Sequence, residues 1–213
     1  MKLAIFDLDG TLADTLEDLA DAVNFGLREL GYPEHPYGSY NLFVGNGVQK
    51  LCFRALPDDA KQDTDRLLEI FTEYYNEHFL DKTYLYDGIY ETISVLAENG
   101  VRLAVATNKP HGFAVDIVRT LLPEFEFVKV LGGCAEREKK PDPAIINEIL
   151  EALPSGTETF MIGDSNVDIH TAQNAGITSI GCIWGFRSRD ELVMAGADHI
   201  AETPQDISSI IIS

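Results

Sequence analysis

Ten residues near the amino terminus decide the fold: Leu3-Ala4-Ile5-Phe6-Asp7-Leu8-Asp9-Gly10-Thr11-Leu12. Four apolar residues typical of a buried β-strand lead into two carboxylates, Asp7 and Asp9, and a Gly-Thr turn. In an extended chain, residues two apart project to the same side. Two neighbouring carboxylates repel each other, so the pair indicates a cation or a shared proton between them. A helix-capping turn would account for one of these aspartates but not for both.

The composition is that of a globular protein and limits its partners. The 213 residues suffice for one large domain or two small ones, and 45% are hydrophobic and 24% charged. The net charge of −19 excludes a nucleic-acid partner, which needs clustered Lys and Arg, and it repels anions at long range. Without a signal peptide or an apolar run of about 20 residues, we expect a cytoplasmic protein with no membrane partner. The composition does not show whether the protein is a monomer or a homodimer.

Predicted helices and strands alternate from residue 87 onward. The predicted strands are apolar runs, as is typical of buried strands. Gly or Pro residues mark the ends of the predicted helices. The predicted helices cover residues 88–99, 110–122, 142–153 and 166–175, and the strands cover 101–106, 127–131, 159–162 and 178–183. This alternation indicates βαβ units and an α/β fold with a Rossmann-like parallel-sheet core.

The segment between the first strand and this alternation has a different pattern. Apolar residues recur at helical spacing there, and no strand is predicted. The predicted helices cover residues 16–30, 46–56 and 59–80, with a loop over 32–42. We therefore predict an all-helical cap domain, residues 14–85, inserted into a discontinuous α/β core of residues 1–13 and 86–213.

Four polar segments follow strands of the predicted sheet or open a helix beside it. They are residues 7–11, 107–110, 139–143 and 163–168. Ligands of such sheets bind at the carboxyl ends of the strands, so the segments are expected to converge. Together they offer carboxylates, a hydroxyl, backbone N–H groups and lysine, which suit a divalent cation beside a phosphoryl group. Each segment alone could be a helix cap or a solvated surface turn.

These segments resemble the motifs of the haloacid dehalogenase-like phosphohydrolase superfamily, and the resemblance spans nearly the whole chain. Residues 7–11 read D-x-D-G-T, Thr107 begins T-N-K-P, Lys140 lies in K-K-P-D-P and residues 163–168 read G-D-S-x-x-D. Within that superfamily the chain is similar to the phosphoglycolate phosphatases. The similarity lies in V-G-N-G at residues 44–47 and in W-G-F at residues 184–186.

The resemblance implies a Mg²⁺-dependent phosphomonoesterase. Asp7 would be the nucleophile that forms an aspartyl-phosphate, and Asp9 the general acid and then the general base. The implied metal ligands are Asp7, the main-chain carbonyl of Asp9, and Asp164. Two interpretations of Asp168 stay open: a partner of Lys140 or of a metal-bound water, or a carboxylate that only starts a helix. The implied substrate-binding residues are Gly10, Thr11, Thr107, Asn108, Lys140, Gly45, Asn46 and Gly47.

The predicted substrate is a small phosphate ester, with 2-phosphoglycolate as the specific expectation. A sugar-phosphate phosphatase, a phosphomutase or a pyrophosphatase would use the same core. A phosphonate hydrolase would need a Schiff-base lysine, for which Lys50 is the candidate. A binding protein without activity is disfavoured, because it would be expected to lack a catalytic group. The cap is expected to move, with hinges near residues 13–15 and 84–87.

Overall fold

The computed structural model of the protein describes residues 1–213. Eight strands are present: β1 (Lys2–Phe6), β2 (Ala13–Asp14), β3 (Tyr84–Leu85), β4 (Arg102–Pro110), β5 (Phe127–Gly133), β6 (Glu158–Gly163), β7 (Thr178–Cys182) and β8 (His199–Ala201). Six of them form one sheet in the order β5-β4-β1-β6-β7-β8, and every neighbouring pair in it is parallel. The predicted α/β fold with a parallel-sheet core is confirmed.

Ten α-helices and one 3₁₀ segment complete the chain. The helices are α1 (Leu16–Glu29), α2 (Tyr37–Phe43), α3 (Val48–Ala55), α4 (Thr64–His78), α5 (Ile89–Glu98), α6 (His111–Leu121), α7 (Ala144–Leu150), α8 (Asn166–Ala175), α9 (Arg189–Met194) and α10 (Pro204–Ile212). The 3₁₀ segment is Asp58–Asp63. No helix combines the length and the apolar character that a bilayer-spanning segment requires.

Strand β1 lies in the middle of the sheet and is buried on both faces. Alternate residues of a strand point to opposite faces. Ala4 and Phe6 pack in a cluster with residues of α5, α6 and α10. Leu3 and Ile5 pack on the other face, with residues of α7 and α8. Helices on both faces explain why the β1 sequence is a continuous apolar run rather than an alternating one.

Helices α1 to α4 lie between β2 and β3 in the chain, and we call them the helical insertion. They have a hydrophobic cluster of their own, which contains Leu27, Tyr40, Leu67 and Phe71. The short antiparallel pair β2–β3 joins the segment that enters the insertion to the segment that leaves it. The chain therefore enters and leaves the insertion at one place, which is where the hinges are predicted.

The structure differs from the sequence prediction in several places. The predicted loop over residues 32–42 contains α2, a helix too short to show a clear periodicity, whose Tyr40 is buried. Beyond residue 186, the short elements β8, α9 and α10 were not predicted. Strand β4 also continues to Pro110 instead of ending at residue 106, so the T-N-K-P motif belongs to the strand itself. Short elements depend on packing, and a single sequence indicates them weakly.

Asp18 ties the start of the helical insertion to its end. This carboxylate in α1 is only 2% exposed and accepts hydrogen bonds from the backbone N–H groups of Lys82 and Thr83 and from the Thr83 hydroxyl, at 2.7–3.1 Å. Hydrogen bonds to an ionised acceptor are stronger than neutral ones. Asp18 therefore anchors the chain as it returns to the sheet.

We predict that Asp18→Ala lowers the free energy of unfolding by about 3 kcal/mol, because it leaves several donors without their charged acceptor. Denaturant unfolding measures this change. Glu17→Ala is the matched control, since Glu17 contacts Lys82 Nζ at 3.4 Å but its side chain is 55% exposed. The control is expected to change stability by less than about 0.5 kcal/mol. Equal effects of the two substitutions would contradict the anchoring role.

Candidate active site

Three of the four polar segments meet because their strands are neighbours. Asp7 follows β1, and its N–H continues the ladder by donating to Ile162 O of β6 at 2.8 Å. Asp164 follows β6 directly, and Thr107 and Asn108 lie near the end of β4, on the other side of β1. All three strands end at the same edge of the sheet, as the parallel topology requires.

Hydrogen bonds between Lys140 and Asn108 hold the fourth segment next to the end of β4. The Asn108 side chain accepts a hydrogen bond from the Lys140 N–H at 2.9 Å and donates to the Lys140 carbonyl at 3.1 Å. The Lys140 ammonium donates to the Ala106 carbonyl at 2.9 Å. This lysine therefore reaches the strand end from a loop between β5 and α7.

A chain of buried charges runs through Lys140. Its Nζ lies 3.1 Å from Asp7 Oδ2 and 2.6 Å from Asp168 Oδ1. The second oxygen of Asp168 accepts hydrogen bonds from the Ser165 hydroxyl and N–H, which forms the cap of α8. Asp168 thus makes both contacts considered for it, one with each oxygen.

The negative charges of the other two carboxylates, Asp7 and Asp164, are not fully balanced by nearby positive groups. Oxygen atoms of Asp7, Asp164 and Asp168 all lie within 4.8 Å of one another. Burial, the Asp168 charge and the Asp9 charge raise the pKa of Asp7 to about 7, although Lys140 opposes the shift. Burial and the neighbouring Asp168 and Asp7 raise the pKa of Asp164 well above its usual value. Desolvated carboxylates of this kind fit a divalent cation, which would favour their charged forms.

Two glycines make room for the Asp164 side chain. A Cβ atom on Gly10, which has a φ of +81°, would overlap the Asp164 carboxylate, and a Cβ atom on Gly185 would overlap Asp164 Cβ. Asp164 also accepts hydrogen bonds from the Phe186 N–H at 2.7 Å and from the Thr11 hydroxyl at 3.4 Å. The D-G-T and W-G-F motifs therefore both shape the surroundings of one carboxylate.

A pocket lies between the strand ends and the helical insertion. The sheet supplies its polar side, and the insertion supplies an aliphatic wall. The lining residues are Asp7, Asp9, Thr107, Asn108, Lys109, Leu19, Val44, Gly45, Gly47, Val48 and Leu51. Asp7 and Asp9 thus border the same pocket as the loop formed by residues 44–47.

Several predicted substrate-binding residues lie outside this lining. The Asn46 side chain accepts a hydrogen bond from Arg54 Nη2 at 2.6 Å and lines a neighbouring cleft. Gly10 and Thr11 contact Asp164, and Lys140 lies against Asp7 and Asp168. Lys50 is exposed on α3 and lies over the Phe53 ring, away from the cavity.

No role was predicted from the sequence for Lys109, Tyr75 or Arg187. The Lys109 ammonium contacts Asp9 and the Tyr75 hydroxyl and is almost completely buried. Arg187, which follows the W-G-F motif, donates to the carbonyls of Asn41 and, at 2.9 Å, Val44 in the helical insertion. The only sequence signal for Lys109 is a charged residue at the end of a buried strand.

Comparison with known proteins agrees with this architecture. The family model described as haloacid dehalogenase-like hydrolase matches residues 4–182. A phosphoglycolate phosphatase of Vibrio parahaemolyticus is 33% identical, over 99% of this chain and 96% of that protein. A phosphoglycolate phosphatase of Psychrobacter arcticus is 37% identical, over 87% of this chain and 84% of that protein.

Solved structures are similar over the whole chain. One, from Lactobacillus delbrueckii subsp. bulgaricus and named as a candidate phosphoglycolate phosphatase, has 31% identity and a TM-score of 0.92, covering 99% of this chain and 98% of that one. CbbY of Rhodobacter sphaeroides, in complex with phosphate, has 26% identity and a TM-score of 0.71, covering 97% and 96%. The chain therefore belongs to the haloacid dehalogenase-like hydrolase family, and within it to the phosphoglycolate phosphatase-like phosphoric monoester hydrolases.

Proposed function

We propose that the protein hydrolyses 2-phosphoglycolate to glycolate and phosphate, through an aspartyl-phosphate on Asp7. The observation that carries this proposal is the Asp7 carboxylate at the cavity wall, beside Asp9 and 3.1 Å from the Lys140 ammonium. The proposed nucleophile and proton donor thus border one pocket, and a buried ammonium contacts the nucleophile from outside its lining. The names of relatives that match over nearly the whole chain support the choice of substrate.

The proposed reaction has two steps. In the first, an oxygen of Asp7 bonds to phosphorus while the bond from phosphorus to the leaving oxygen breaks, and Asp9 donates a proton to that oxygen. In the second, Asp9 removes a proton from a water that attacks the aspartyl-phosphate, which releases phosphate and restores Asp7. Lys140, the Thr107 hydroxyl and the Asn108 backbone would hold the other phosphoryl oxygens and offset their charge.

We propose Mg²⁺ as the cofactor. Asp7, Asp164 and the main-chain carbonyl of Asp9 would hold it, an all-oxygen donor set of the type that this ion prefers. The bound ion would reduce the repulsion between the Asp7 carboxylate and a phosphate dianion. Support comes from the raised pKa values of Asp7 and Asp164, which indicate that burial and neighbouring carboxylates outweigh the nearby positive charges.

We propose that the helical insertion, residues 14–85, acts as a cap that selects a compact leaving group. Its contribution to the cavity is aliphatic, through Leu19, Val44, Val48 and Leu51. Gly45 and Gly47 lack side chains at the same wall, so their backbone can approach a small ligand closely.

Phosphate release from a panel of esters with Mg²⁺ tests the substrate. The panel contains 2-phosphoglycolate, sugar phosphates and inorganic pyrophosphate. The highest kcat/KM is expected for 2-phosphoglycolate. A higher value for a sugar phosphate or for pyrophosphate would contradict the proposed substrate while leaving the phosphatase chemistry in place.

Asp7→Asn is expected to lower kcat for 2-phosphoglycolate by at least about 1,000-fold, because the amide is a poor nucleophile. Asp65→Asn, on the exposed surface of α4, removes the same charge outside the site and is expected to leave kcat unchanged. Phosphate release by the folded variants measures both values. Undiminished turnover by Asp7→Asn would rule out Asp7 as the nucleophile.

Mg²⁺ is expected to raise the melting temperature more at pH 8 than at pH 5.5. With a pKa of about 7, the Asp7 carboxyl holds a proton at the lower pH and must lose it to bind the ion, and the raised pKa of Asp164 acts in the same direction. At 100 times its Kd, the ion would stabilise the fold by about 2.7 kcal/mol.

Asp164→Asn is expected to abolish most of this Mg²⁺-dependent shift, whereas Asp65→Asn retains it. Thermal unfolding with and without Mg²⁺ at the two pH values supplies the comparison. An equal shift at both pH values, or an undiminished shift in Asp164→Asn, would argue against the proposed metal site.

A further inference from the structure

We propose that Lys109 and Tyr75 are positioning residues for Asp9, and that they hold its carboxyl group ready to protonate the leaving group. The inference rests on the proposed phosphatase function and deepens it. It assigns a role to a buried lysine from β4 and to a buried tyrosine from α4, which meet at the boundary between the sheet and the helical insertion.

The contacts around Lys109 are short and enclosed. Its Nζ lies 2.9 Å from Asp9 Oδ1 and 2.7 Å from the Tyr75 hydroxyl oxygen, and its side chain is 1% exposed. The Tyr75 ring also lies beside the ammonium, with its centroid 4.9 Å from Nζ. A buried ammonium without acceptors is costly, so these two partners determine where the lysine can lie.

The two oxygens of Asp9 have different surroundings. Oδ1 accepts hydrogen bonds from Lys109 Nζ and, at 2.7 Å, from the hydroxyl of Thr15. No group of the protein donates to Oδ2. Because Asp9 borders the cavity, Oδ2 is the oxygen available to a leaving group there. Lys109 and Thr15 thus fix the carboxyl group from one side and leave the other side for chemistry.

The charge of Lys109 favours proton donation by Asp9. As the proton moves from Oδ2 to the leaving oxygen, negative charge develops on the Asp9 carboxylate. A fixed ammonium 2.9 Å away, shielded from water, stabilises that charge.

Tyr75 makes this arrangement depend on the helical insertion. Its ring packs against Phe71 within α4, at 5.1 Å, and against Phe113 of α6, at 4.9 Å. The position of its hydroxyl is therefore set by the packing of α4 on the sheet domain. Movement of the insertion away from the sheet would separate the tyrosine from Lys109 and leave Asp9 less firmly held.

The test compares two leaving groups in the full-length protein with Mg²⁺. The leaving oxygen of an alkyl phosphate such as 2-phosphoglycolate needs a proton, whereas p-nitrophenyl phosphate releases a stable anion. Lys109→Met is expected to lower kcat/KM by about 100-fold for the alkyl ester and by less than about 5-fold for the aryl ester. This constant reports the first chemical step, so the later hydrolysis of the aspartyl-phosphate does not contribute.

A second variant keeps the test decisive if the first variant does not fold. Tyr75→Phe keeps the ring and its packing and removes only the hydroxyl. It is expected to lower kcat/KM about 5-fold for the alkyl ester and to leave the aryl ester unchanged. Lys50→Met is the matched control, because it removes the same charge from an exposed position, and it is expected to change neither value. Circular dichroism and melting temperatures establish that each variant is folded.

Every outcome of these measurements either supports or overturns the positioning role of Lys109 and Tyr75. Equal losses for the two esters, or no loss, would overturn the positioning role and leave the proposed function intact. If Lys109→Met does not fold, an unchanged ratio of the two constants in Tyr75→Phe overturns it. A wild-type protein that hydrolyses neither ester would refute the proposed function, and the inference with it.

Discussion

The Lys140 ammonium lies between two buried carboxylates, and the arrangement of the site depends on this contact. Asp7 follows β1 and Asp168 is in the first turn of α8, while Lys140 comes from a loop. All three side chains are at most 10% exposed. Removing one member of such a cluster leaves the others buried without compensation, which costs far more than the loss of a surface ion pair. The same contact therefore holds the loop in place and sets the electrostatics of the candidate nucleophile.

The charges near the strand ends do not balance. Asp7, Asp164 and Asp168 face one lysine, Lys140, in a protein with a net charge of −19. A phosphate dianion is therefore repelled both by the whole molecule and by the site itself. The excess carboxylate charge accounts for the raised pKa values and gives a physical reason for a divalent cation. The local fold of the G-D-S-x-x-D segment uses one of the three carboxylates, Asp168, to cap α8.

Most of the sheet could be predicted because its strands are continuous apolar runs separated by helices with clear ends. Helix α8 was predicted with its observed limits, from its start at Asn166 to the glycine after it. The prediction was wrong for the loop at residues 32–42, where α2 forms around the buried Tyr40. It was incomplete beyond residue 186, where the strand and helices are short. Elements of this length are stabilised mainly by tertiary packing, which a single sequence does not show.

The sequence by itself determined the fold class and the family resemblance and predicted the convergence of four motifs, because the succession of strands and helices along the chain and the residues of each motif can be read locally. Only the tertiary structure decided which groups meet across long separations. Lys109 contacts Asp9, 100 residues away, and Tyr75, 34 residues away, and the contact with Tyr75 depends on how α4 packs on the sheet. The Asp7–Asp9 pair that first indicated chemistry thus acquires two different environments. Asp7 lies beside Lys140, whereas Asp9 is held by Lys109 and Thr15.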